Sequence, residues 1–60
     1  MSERTYVLVV RVWTGEDGAV TARVRGQLTP GEEPAYERVT ARVEDVPALV
    51  GEWLGAVTAR

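Results

Sequence analysis

Tyr6-Val7-Leu8-Val9-Val10-Arg11-Val12-Trp13 is the stretch whose reading decides the fold. β-Branched and aromatic residues fill it, with a single charge and no turn former, which is the composition of a strand. Only the segment Met1–Thr5 precedes it and Gly15-Glu16-Asp17-Gly18 closes it, so it cannot be the middle of a long helix. A run this apolar on both parities predicts a strand at the centre of a sheet.

Working outward, Asp17-Gly18 with Gly15 supplies the positive-φ chemistry of a hairpin reversal. Ala19 to Gln27 then alternates, with Val20, Ala22 and Val24 on one parity and Thr21, Arg23, Arg25 and Gln27 on the other. Gly26 marks a bulge or bend near the end of this strand, and Leu28 returns to the apolar side. Thr29-Pro30-Gly31-Glu32 favours a type II turn. A third run follows, in which Val39, Ala41 and Val43 share one side and Tyr36, Arg38, Thr40 and Arg42 the other.

Asp45 then suits a helix cap and Pro47 a first turn. Val46, Leu49, Val50, Trp53, Leu54 and Val57 fall on one helical stripe wide enough to lie on a sheet. The prediction is an α+β domain, a three-stranded antiparallel β-meander with one C-terminal helix on one face. The strands cover about 5–13, 19–28 and 35–43, and the helix about 46–58. The core would comprise Tyr6, Leu8, Val10, Val12, Val20, Ala22, Val24, Val39, Ala41 and Val43 beneath the helix stripe.

Sixty residues make one domain close to the size at which a single core barely offsets the entropy of ordering the chain. Disulfides, a metal or a partner chain commonly stabilise such domains. With no Cys and no His, the first two are excluded in their usual forms, which leaves association with a second copy as the expectation. Catalysis is poorly provided for: His, Cys and Lys are missing and Ser2 is the only serine. No glycine-rich phosphate loop or calcium loop is present, and no cofactor is expected. No basic stretch followed by an apolar run opens the chain, and Tyr6 to Val10 is too short to cross a bilayer, so the expectation is a cytoplasmic protein without a membrane partner. All seven basic residues are Arg, a bias that fits a high-GC bacterial genome.

Strand parity places Val7, Val9, Arg11, Trp13, Arg23, Arg25, Tyr36, Arg38 and Arg42 on the sheet face away from the helix. On that reading five arginines share one face with no acid, Glu37 leans toward the helix, and the net charge of −2 conceals a dipolar molecule. Val7, Val9 and Trp13 would expose an apolar strip in mid-sheet, which a small monomer can ill spare. Two partners fit that strip. A second copy, or another protein, covers it by packing sheet on sheet or by pairing edge to edge. Alternatively, the sheet enters a nucleic-acid groove with its arginines on phosphates and Trp13 and Tyr36 stacking. Net acidity and the lack of Lys favour the protein partner.

The pattern Tyr6, Val9-Val10-Arg11-Val12-Trp13, Asp17-Gly18, Ala22-Arg23-Val24 and Val43-Glu44-Asp45-Val46-Pro47-Ala48-Leu49-Val50 resembles a family of short uncharacterised bacterial β-β-β-α proteins. Those proteins open with a V-V-R-[IV]-W strand and end in one amphipathic helix. The resemblance implies the fold and carries no activity. The architecture is also similar to the plant ethylene-response-factor DNA-binding domain, which reads DNA with Arg and Trp on three strands but is basic overall, as this chain is not.

Overall fold

The computed structural model describes residues 3–59. It contains β1 (Leu8–Thr14), β2 (Val20–Gly26) and β3 (Tyr36–Thr40), then a 3-10 turn at Val43–Asp45 leading into α1 (Val46–Thr58). The strands form one antiparallel sheet in the order β1-β2-β3, so the architecture is the expected β-β-β-α. The helix begins and ends where its stripe predicts. The strands are shorter than expected: residues 5–7 lie before β1, with Val7 keeping one backbone hydrogen bond to Gln27, and residues 41–43 lie beyond β3.

The two reversals follow their turn chemistry. Gly18 has φ 82°, Asp17 Oδ1 accepts from the Ala19 amide at 2.9 Å, and the Gly15 amide donates to the Ala19 carbonyl at 2.8 Å. In the second, Gly31 has φ 79° after Pro30, and the Glu32 amide donates to the Thr29 carbonyl at 3.2 Å, as a type II turn requires. Asp45 does not cap α1: its backbone is helical and its carboxylate instead accepts from Thr40 Oγ1 at 3.2 Å.

Two expectations are corrected. β1 is an edge strand and β2 the centre, because a meander joined by short turns must place its second strand in the middle. The parity of β3 is also inverted. Gly26 pairs with Tyr36, Val24 with Arg38 and Ala22 with Thr40, so Tyr36, Arg38 and Thr40 face the helix while Glu37 and Val39 face away. The physical reason lies at Gly26. A Cβ there would lie 2.6 Å from Leu8 Cδ1 and 2.7 Å from Trp53 Cδ1, so the missing side chain is the space the indole occupies. Tyr36 fills the neighbouring position, burying far more apolar area than Val39 could. Gly26 is the last paired residue of both ladders, opposite Leu8 and Tyr36, with its carbonyl also accepting from the Ala35 amide at 3.1 Å, and it is the point of close approach to the indole.

Ala22, Val24, Tyr36 and Trp53 are the buried apolar residues among those described. Tyr6, Leu8, Val46, Leu49 and Val57 pack around them, whereas Leu54, Val39 and Val43, expected in the core, are exposed. The helix packs on β2 and β3, leaving most of β1 uncovered. The radius of gyration is 13.3 Å. A compact chain of this length would measure about 10 Å.

Candidate functional site: the β1 edge and the outer sheet face

Outer-face geometry follows from the register. Across the sheet, Val9 lies beside Arg25 and then Glu37, Arg11 beside Arg23 and then Val39, and Trp13 beside Thr21. Three arginines therefore share this face, with one acid. Arg23 Nε sits 3.4 Å from Glu37 Oε2 but out of line for a hydrogen bond, and it is shielded without another partner. The Arg11 guanidinium lies 5.5 Å from the Trp13 ring centroid. Arg11 and Arg23 are directly opposed, an arrangement that costs stability unless something anionic or apolar separates the charges. Val9, Arg11, Arg23, Arg25 and Pro34 line a shallow depression of about 190 Å³.

Tyr36, Arg38 and Arg42 do not belong to this face. Tyr36 is buried beneath the helix, its hydroxyl 2.6 Å from Glu52 Oε1 and 3.1 Å from the Leu49 carbonyl. Burial, and then the hydrogen bond to Glu52, raise its pKa above the ordinary 10.0. The Arg38 guanidinium lies over the Tyr36 ring at 4.6 Å, and its Nε is 3.4 Å from Glu52 Oε1. Arg42 lies past the end of β3 and pairs loosely with Glu44 at 3.8 Å. Glu37, expected to lean toward the helix, occupies the outer face instead.

β1 itself is the unusual feature. Val9 (57% exposed) and Trp13 (39%) lie on its outer face, and Val10 (42%) and Val12 (53%) on the helix side beyond the reach of α1. Its backbone is half-used as well. The Gln27 amide donates to the Val7 carbonyl at 3.0 Å and the Gly15 amide to Ala19 at 2.8 Å, which sets the alternation. Val9, Arg11 and Trp13 direct their amide and carbonyl groups at β2, while Leu8, Val10, Val12 and Thr14 direct theirs at the open edge.

Gln27 is a structural residue that strand parity treats only as polar surface. Its side chain accepts from the Val7 amide at 3.1 Å and donates to the Glu32 carbonyl at 2.8 Å; its carbonyl accepts from Trp53 Nε1, also at 2.8 Å. It thereby ties the lead-in to β1, the second loop and the helix together. A Gln just after a strand glycine was the only signal available. In comparisons with protein-family models, with curated proteins and with solved structures, no match to this chain was found.

Proposed function

We propose that this protein is a non-enzymatic self-association module whose contact is built on β1. One observation carries the reading: the most apolar strand among the described residues is an edge strand, uncovered on both faces beyond Leu8 and unpaired along one side. An edge of that kind is a template for another strand, and no Lys or Pro within Leu8–Thr14 blunts it. Stacking of two outer faces is the less favourable arrangement, because it would bring Arg11, Arg23 and Arg25 of each copy together with only Glu37 to offset them. Sedimentation equilibrium over a wide concentration range tests the proposal. The apparent mass should rise from 6.6 kDa toward twice that value. A strictly monomeric protein at millimolar concentration removes it.

The opposed Arg11 and Arg23, with Arg25 beside them, favour a second reading, in which the outer face holds a nucleic-acid phosphate. Without Tyr36, Arg38 and Arg42 that surface is narrower than parity suggests. Polarisation of a labelled mixed-sequence duplex at low salt decides it: absence of binding at micromolar protein excludes this partner, and loss of binding in an Arg11→Gln/Arg25→Gln double variant establishes it.

A further inference from the structure

If self-association is the function of β1, its geometry also selects how two copies meet. We propose that β1 pairs with β1 of a second copy, antiparallel and edge to edge, about a twofold axis through Val10, forming one six-stranded sheet with both helices on the same face.

The twofold restricts the choices. Residues directly opposite in an antiparallel pair point to the same face, so a symmetric pair must place one residue opposite its own copy. Three such centres pair at least five of the 7 residues of β1 with the second copy: Val10, Arg11 and Val12. Centring on Arg11 aligns the most residues, but it sets Arg11 against its copy with Arg23 beyond it on each side, a row of four guanidinium groups. Centring on Val12 runs the partner strand into the Gly15–Gly18 turn and leaves Leu8 opposite that turn. Centring on Val10 avoids both problems.

In that register Val10 faces Val10 and Leu8 faces Val12 twice over, all on the helix side where Val10 and Val12 are otherwise exposed. On the outer face Arg11 lies beside Val9 of the second copy, which separates the guanidinium groups, and Trp13 lies beside Val7, another exposed apolar residue. The backbone agrees. Leu8, Val10 and Val12 are the residues whose amide and carbonyl groups point away from β2, so each can exchange hydrogen bonds with its opposite number.

The chain contains no Cys, so single-cysteine variants report the register directly. Opposed residues in a bonded pair have Cα atoms about 5.5 Å apart, within the span of a disulfide. In the Val10-centred register the Val12 pair would be separated by roughly 13 Å along the strands, out of reach. Under mild oxidation Val10→Cys should become mostly covalent dimer, while Arg11→Cys and Val12→Cys remain mostly monomeric on denaturing gels. Dominant crosslinking by either of the latter, or by none of the three in a sample that sediments as a dimer, overturns the register but leaves self-association standing. A wild-type protein that sediments as a monomer overturns both. Amide exchange supplies a check free of mutation: Val10 and Val12 should gain protection with concentration while Arg11 stays protected throughout.

Discussion

β1 and β2 are neighbours of equal length, and the more apolar of the two is the more exposed. LVVRVWT carries one charge and none of its residues is buried, whereas VTARVRG carries two arginines and encloses Ala22, Val24 and Gly26. Hydrophobicity identified both as strands, but connectivity decided which lies between the others, and the position of α1 decided which is covered. The difference teaches that apolar content in so small a domain is not spent wholly on its own core. What β1 displays is surplus to the fold, and that surplus is the argument for a partner.

The strongest way to break the comparison is to remove what makes β2 the covered strand. Gly26→Ala places a methyl group against Trp53 and Leu8, and Gly26 is held between β1 and β3 so the backbone cannot retreat. The expected cost is about 3 kcal/mol, at the upper end for overpacking, read by urea denaturation with a fall in the Trp fluorescence transition midpoint. A near-neutral result would mean that the indole is not seated over Gly26 in solution.

Paired truncations sharpen it. Val24→Ala empties part of the core and should cost about 2 kcal/mol, while Val12→Ala, made in dilute solution, should stay within about 0.5 kcal/mol. At high concentration the order changes character, because Val12→Ala should weaken association and Val24→Ala should act through folding alone. Equal costs in the dilute monomer would show that β1 is covered by the chain itself.

The same pair of strands marks where the sequence is legible. Alternation in Ala19–Gln27 revealed which side of β2 is buried, and the stripe from Val46 to Val57 located the helix to the residue. For β3 the rule failed: Tyr36-Glu37-Arg38-Val39-Thr40 offers an apolar residue to each parity, and only the space over Gly26 selects the tyrosine. Consequently Arg11, Arg23, Arg25, Val9 and Trp13 stand together on the outer face as parity predicts, while Tyr36 and Arg38 belong to the helix contact. Composition alone places β1 at the centre, because a strand apolar on both faces is ordinarily flanked on both sides. Here one flank is empty within a single chain.

An effect smaller than the core truncation tests how α1 is held over β2 and β3 and away from β1. Tyr36 is the tie: its hydroxyl reaches Leu49 and Glu52 of the helix, and Arg38 closes over its ring. Tyr36→Phe keeps the ring and removes the hydroxyl, for an expected loss of about 1 kcal/mol near neutral pH. The pH dependence carries the sharper signature. The folded state favours the neutral phenol, so the Tyr36 pKa is raised above 10.0. An unfolded chain ionises first as pH rises, and this contribution to stability is therefore complete below pH 10.0 and disappears as pH climbs through the folded value. The wild type should lose stability in that alkaline window and Tyr36→Phe should lose less, so the two denaturation midpoints should converge. If they stay parallel, the hydroxyl does not anchor the helix, and something other than Tyr36 keeps α1 from sliding across to cover β1.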